Sequence, residues 1–302
     1  MRNGARHQIW AICQITQIWC LAPFWAAAAE LPTLAGPAMG TTYRVTLAAN
    51  IPGMTRGEVH REVEAVLARI DRAASTWRND SDASRFNRAA AGEWVTVSAD
   101  LLALVETARE IHDQSQGAFD ITVGPAGSGR PTGMRHVVSR LSPPALRKSV
   151  PGIAIDLGGI GPGYAVDRIG ERLVSLGSKA HLVELGGEVR AWGQPSEGRP
   201  WRVRLGESVA GHGQPQEIDL AAGEAVATST CRPGRSPIDP RTGRPVAASP
   251  PRRAATVRAT TCATADAWAV AAIVLDLEPN ADGTVTAPST PVGPTATRRA
   301  DP

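Results

Sequence analysis

The sequence predicts an α+β fold. Helical stripes and strand-like runs follow one another without the regular βαβ alternation of a parallel α/β protein. Four strand-like runs come in close succession (HLVEL, PWRVRL, QEIDL and AVATS), while 30 glycines and 24 prolines favour short elements and many turns. A chain of 302 residues, 42% hydrophobic and 20% charged, can bury a sizeable core as one large or two small domains. The net charge of only +3 gives no case for nucleic acid as a partner.

The elements follow in order. Residues 1–29 combine Arg2 and Arg6, an apolar run from Ile9 to Trp25 and small residues Ala27, Ala28 and Ala29. That is the pattern of an export signal; Gln14 and Gln17 weigh against a retained membrane anchor. The mature chain is expected to be exported, periplasmic or membrane-associated on the outer side of the inner membrane. Next, TTYRVTLA alternates Tyr43, Val45 and Leu47 as a strand does. Thr55 and Glu58 form a capping box ahead of a helical stripe of Val59, Val63, Val66, Leu67 and Ile70. A second helix is expected from Ser98 to the glycine at 117, with Leu101, Leu102, Val105 and Ile111 inward.

Residues 126–150 show no sustained period and read as a loop. Residues 152–157 (GIAIDL) read as a strand leading into GGIGPG and a helix with Val166, Ile169, Leu173, Val174 and Leu176 inward. A last helix covers residues 264–277, and from Glu278 to 302 the Pro/Thr/Ala-rich chain reads as a disordered tail. The expected domain is therefore 30–277. Outside the leader, Cys231 and Cys262 lack any CxxC spacing, which excludes a zinc site; pairing and two free thiols both remain open.

Four polar clusters can carry chemistry. STWRNDSDASRFN (75–87) is a solvated loop with Trp77 and Phe86 in the core, or part of a site. GAFDITVGP (117–125) holds Asp120 between Phe119 and Ile121, and a carboxylate buried there needs partners. IDLGGIGPGYAVD (155–167) is either a tight strand-to-helix connection or a phosphate site made of backbone N–H groups. It lacks the third glycine of a dinucleotide fingerprint, which ranks a Rossmann oxidoreductase last. In ATTCATADAWAVAA (259–272), Asp266 either complements a helix dipole or holds a hard cation.

In their order along the chain, PAMGTTYRVTL, STWRNDSDASRFN, GAFDITVGP, IDLGGIGPGYAVD, LVELGGEVRAWG, SPIDPRTGRPV and TCATADAWAVAAIVL, the segments resemble the ApbE family. DLGG…GYAVD followed by DPRTG and ADA is the specific part. The resemblance implies an FAD:protein FMN transferase, which uses Mg²⁺ to move the FMN half of FAD onto a threonine of an exported acceptor protein and releases AMP. It implies flavin contacts from Met39, Trp77, Ala118, Phe119 and Asp120. Asp156, Pro162 and Ile238 would line the rest of the cofactor site, Gly159 (by its carbonyl) and Asp266 would hold the metal, and Asp266 would serve catalysis. DPRTG would close over the cofactor, with Asp239 and Thr242 satisfying each other's backbone.

The sequence departs from the family pattern at several of these positions. Ser236 stands three residues before Asp239 where the family has a histidine, and Val270 stands four after Asp266 where it has Thr or Ser. Pro162 replaces a Lys or Glu, and the loop after GAFDITVGP is short. A serine is no base at neutral pH and a valine has no oxygen to ligate. The alternatives to a transferase are thus a weakened or inactive FAD-binding protein and an FAD pyrophosphatase that gives FMN and AMP.

Overall fold

The computed structural model describes residues 31–124, 129–205, 216–231, 236–247 and 254–288. Residues 1–29, read from the sequence as an export signal, lie outside them, and among them no helix is long and apolar enough to cross a membrane. The strands are β1 (Thr33–Ala38), β2 (Thr41–Leu47), β3 (Val95–Thr96), β4 (Val137–Arg140), β5 (Ala145–Lys148), β6 (His181–Leu185), β7 (Glu188–Trp192), β8 (Trp201–Leu205), β9 (Gln216–Leu220), β10 (Ala225–Thr230), β11 (Ile238–Asp239), β12 (Arg244–Pro245), β13 (Ala254–Ala259) and β14 (Thr284–Thr286). The helices are α1 (Arg56–Ala74), α2 (Asp82–Arg88), α3 (Ala99–Gln114), α4 (Gly161–Ser175) and α5 (Cys262–Leu275). The fold is α+β, as the sequence implies.

A seven-stranded sheet runs β1-β2-β6-β7-β10-β13-β14, antiparallel except for the last pair. Its two faces follow the period of two that strands impose. Val183, Leu185, Ala225 and Ala227 join the helices in the main core. Their neighbours Leu182, Val189, Ala191 and Val226 point to the other face, where the β8–β9 ribbon covers them with Trp201, Val203, Leu205, Ile218 and Leu220. Helix α5 is apolar on nearly all sides and lies deep in the main core, as such a helix must. Helix α1 opens on the expected capping box: the Glu58 amide donates to Thr55 Oγ1 at 3.3 Å, and Glu58 Oε2 accepts from the Thr55 amide at 2.8 Å.

Helices α4 and α5 cap each other. Asp167 of α4 accepts from the amides of Cys262 and Ala263, the first residues of α5, both at 2.9 Å. Asp266 of α5 accepts from the Gly163 amide in the first turn of α4 at 3.0 Å. Each carboxylate thereby answers donors that a helix start leaves without intrahelical partners. The approach is close enough that a Cβ on Gly163 would fall 2.3 Å from the Cys262 carbonyl oxygen. Arg190 of β7 neutralises Asp167 at 2.7 Å and ties the pair to the sheet.

Several expectations need correction. Residues 126–150 are no loop throughout: a 3₁₀ turn at Met134–His136 leads into the β4–β5 hairpin, which β3 extends. Four-residue strands are too short to show a period, and their partner β3 is remote in sequence. Conversely, residues 152–157 join no ladder. The Asn87 side-chain amide takes the place of a neighbouring strand, donating to the Ile155 carbonyl at 2.9 Å and accepting its amide at 2.7 Å. Buried Lys148 fastens the same stretch through the carbonyls of Asn87 and Ile153. Trp77 is 96% exposed rather than in the core, whereas Phe86 is fully buried. Val174 also faces out. The polar stretch after α1 contains α2, capped by Ser81. The last helix starts at Cys262, because Thr261 caps it. The chain after Glu278 is not all tail: β14 adds a parallel strand beside β13 and buries Thr284 and Val285. Cys231 and Cys262 are separate free thiols.

Two outcomes follow from this packing. Asp167→Ala strands Arg190 and uncaps α5, and denaturant unfolding should show a loss of about 3 to 5 kcal/mol. Buried His181, bonded through Nδ1 to Ser178 Oγ and stacked on Trp192, has its pKa pushed down by burial from 6.5 to about 4. It stays neutral in the fold while the unfolded chain takes up a proton, so its stabilisation is complete above pH 6.5 and is lost as pH falls towards 4. His181→Gln should flatten that acid limb in melts recorded across this range.

Candidate active site

The candidate site is built where three separated segments meet the glycine turn at the start of α4. The first is the β1–β2 turn, in which Met39 and Gly40 both take positive φ, 49° and 78°. A methionine in that region is strained by about 1 to 2 kcal/mol, and turns of this kind ordinarily use Asn or Gly. The Met39 methyl ends 3.6 Å from where a Cβ on Gly161 would stand. The second segment is GAFD. There Ala118 and Phe119 are buried, and the Phe119 ring reaches to 3.4 Å of a Cβ position on Gly159. The third is α5, whose Val270 methyl approaches the same position to 3.2 Å. A Cβ at Gly159 would thus press on Val270 and touch Phe119, so the turn fits closely between the two.

The glycine turn itself is largely satisfied within the protein. Asp156, exposed, bends its Oδ1 to the Gly158 amide at 2.9 Å, and the Ile160 and Gly161 amides donate to the Leu157 carbonyl. The Gly163 amide serves Asp266, and Pro162, the second residue of α4, has no N–H. Of the two readings left open by the sequence, the tight connection accounts for these amides.

Asp266 is buried, and its pKa is pushed up to about 7. Burial is the main cause, the Gly163 amide opposes it, and the charge of Asp167 adds to it. A buried carboxylate in that condition draws either a proton or a cation. Among the described residues no group of three or more His, Cys, Asp or Glu side chains can hold a metal. The donors that the family resemblance implies are the Asp266 carboxylate and the Gly159 carbonyl. Both are hard oxygens, which suits a magnesium ion that completes its shell with water and phosphate oxygens. Neither thiol is activated: burial raises the Cys262 pKa well above its ordinary value, and burial also raises that of Cys231, against an opposing hydrogen bond from Ser236.

A cavity of about 320 Å³ lies on the other side of Phe119 and Asp120, between His112, Asp120 and Arg135 on one wall and Pro240 and Arg241 on the other. That volume has room for one ring system or a phosphoryl group rather than a dinucleotide. Asp120 is buried and fully engaged: Oδ1 accepts from the Thr122 amide and hydroxyl at 2.7 and 2.6 Å, and Oδ2 from the Met134 amide at 3.1 Å. The opposite wall is the β11–β12 hairpin. Its turn is stiffened by Asp239, whose carboxylate takes the Arg241 amide at 2.9 Å and pairs with the Arg241 guanidinium. That pairing holds the Asp239 carboxyl below the usual carboxylate range. The Asp239 carbonyl accepts from the Thr242 amide at 3.2 Å, so Asp239 and Thr242 are joined through backbone, while the Asp239 carboxylate serves Arg241.

The structure thus gathers Met39, Phe119, Gly159 and Gly161 around the turn, with Ala118, Asp120, Asp156, Pro162 and Asp266 on the same segments. Ile238 is half-buried in β11, in the hairpin whose Pro240 and Arg241 line the cavity, and the Trp77 indole stands out in solvent. His112, Arg135 and Val270 complete the surroundings. Sequence reasoning passed over His112 and Arg135, because one sits at the end of an amphipathic helix and the other in a segment without period.

The chain is similar to known proteins over most of its length. The ApbE family model matches residues 39–284. An FAD:protein FMN transferase of Vibrio cholerae is 32% identical over 282 residues, covering 83% of each chain. One of Escherichia coli K12 is 30% identical over 287 residues, covering 83% of this chain and 80% of the relative. The crystal structure of the apo flavinyl transferase ApbE of Pseudomonas stutzeri superposes with a TM-score of 0.71 at 30% identity, over 84% of this chain and 86% of that one.

The strain at Met39 gives a test of the site. Met39→Asn relieves the backbone at the expense of a thioether surface, so stability in thermal melts should change by no more than about 1 kcal/mol. Quenching of flavin fluorescence should nevertheless show weaker FAD binding by the variant.

Proposed function

The chain belongs to the ApbE family, and on that premise we propose that it is an exported, Mg²⁺-dependent FAD:protein FMN transferase. In this reading the acceptor is a threonine of another exported protein, and AMP is the second product. The observation that carries the reading is Asp266: a buried carboxylate that accepts from the Gly163 amide at 3.0 Å in the first turn of α4, with its pKa pushed up to about 7 mainly by burial. It is a site short of one positive charge.

Asp266 and the Gly159 carbonyl would hold the magnesium ion, which when bound supplies positive charge against the pyrophosphate oxygens. Met39 and Phe119 offer thioether and aromatic surface of the kind a flat isoalloxazine packs against. Trp77, held out in solvent, offers a further face. The β11–β12 hairpin walls the far side, and its Asp239–Arg241 pairing keeps it rigid. Transfer at phosphorus then asks mainly for alignment and charge neutralisation. Export rests on the leader sequence in residues 1–29.

A second reading, a weakened transferase or an FAD-binding protein, is favoured by two details. Val270 presents a methyl group at Gly159 where an oxygen would ligate, and the Ser236 hydroxyl is bonded to Cys231. Incubation with FAD, Mg²⁺ and a threonine-bearing acceptor domain decides between the readings. We expect flavin fluorescence on the acceptor band in a gel, release of AMP, and loss of both with EDTA or Asp266→Asn. AMP with free FMN in the absence of acceptor identifies a pyrophosphatase, and bound flavin without AMP identifies the binding protein. In the latter case Ser236→His should bring no gain.

A further inference from the structure

We propose that His112 is the base that takes the proton from the acceptor hydroxyl, an assignment that rests on the transfer reading above. His112 sits in the last turn of α3, with its ring turned towards GAFD. Its Nδ1 lies 2.9 Å from the Phe119 carbonyl oxygen. A carbonyl only accepts, so Nδ1 carries the hydrogen, and in the neutral ring Nε2 is the nitrogen with a free lone pair.

Behind the ring stands Asp120, whose Oδ2 is 3.6 Å from the same Nδ1 and whose side chain is 3% exposed. Three bonds from Thr122 and Met134 fix that carboxylate in place. A fixed carboxylate behind the protonated nitrogen holds the imidazole in one orientation and stabilises the imidazolium formed when Nε2 takes up a proton.

The free edge of the ring borders the cavity. Gly117 leaves that edge uncovered, since even a Cβ there would stand only 3.6 Å from Cε1 and 4.0 Å from Nε2. Charged groups facing the cavity are Asp120, Arg135 and Arg241, the last already paired with Asp239. The arginines suit phosphoryl oxygens, and Nε2 suits the hydroxyl that attacks them. Phe119 links the two halves of the site: its carbonyl holds His112 while its ring packs at Gly159.

The step balances as follows. The acceptor hydroxyl oxygen bonds to the phosphorus of the FMN half while the P–O bond to the AMP half breaks. The electron pair leaves with AMP, and the hydroxyl proton goes to Nε2 of His112 and from there to solvent.

His112→Asn tests this, because its side-chain N–H can keep the bond to the Phe119 carbonyl while Nε2 is lost. We expect AMP release to fall by about 100-fold, with the FAD affinity from fluorescence quenching changed by less than about threefold. Added imidazole should restore part of the rate of His112→Ala; if that variant fails to fold by circular dichroism, His112→Asn decides alone. A His112→Asn protein as fast as the wild type, or one that loses affinity in step with rate, overturns the assignment and leaves the transfer reading standing. A wild-type chain that binds FAD but releases no AMP removes the transfer reading, and this assignment with it.

Discussion

The constraint on which the structure turns is the mutual capping of α4 and α5. Two helix starts meet so closely that their amides have no access to water, and each is answered by a carboxylate from the other helix. Buried donors without partners cost on the order of 1 to 3 kcal/mol each, so neither helix can shift without exposing the other's need. The glycine turn before α4 is carried into position by this contact, and Gly163 is the residue that permits it. Arg190 then anchors the pair to the middle of the sheet.

The same contact sets the electrostatics of the site. It brings two carboxylates into one buried region, with the nearest arginine spent on Asp167. Asp167 also receives two amides, whereas Asp266 receives one. Burial, opposed only by the Gly163 amide, leaves Asp266 the carboxylate whose charge is less well supported. The helix junction that fastens the core therefore also sets the charge balance beside the glycine turn.

Asp120 plays the corresponding part on the other side of Phe119. Its carboxylate accepts from Thr122 and Met134 and stands behind His112, so one buried acid ties together residues from three parts of the chain. The hairpin across the cavity is stiffened by its own Asp239–Arg241 contact rather than by the core. Between the Asp120 floor and the self-braced wall lies the cavity, lined by His112, Asp120, Arg135 and Arg241.

Sequence alone determined what depends on neighbours within a turn or two. The Thr55–Glu58 capping box, the stripe from Val59 to Ile70 and the alternation in β2 are local patterns with a fixed period, and each appears where the residues place it. The order of the polar clusters, too, is a property of the chain itself. Tertiary structure decided whatever needs a distant partner. Residues 152–157 look like a strand, yet they find a side-chain amide 68 residues away instead of a ladder. Thr284–Thr286 look like tail until β13 offers them an edge. The exposure of Trp77, the raised pKa of Asp266 and the turn of His112 towards Asp120 are likewise set by burial and by contacts between segments far apart in sequence. Periodicity encodes which face a residue takes, but not which distant group waits on that face.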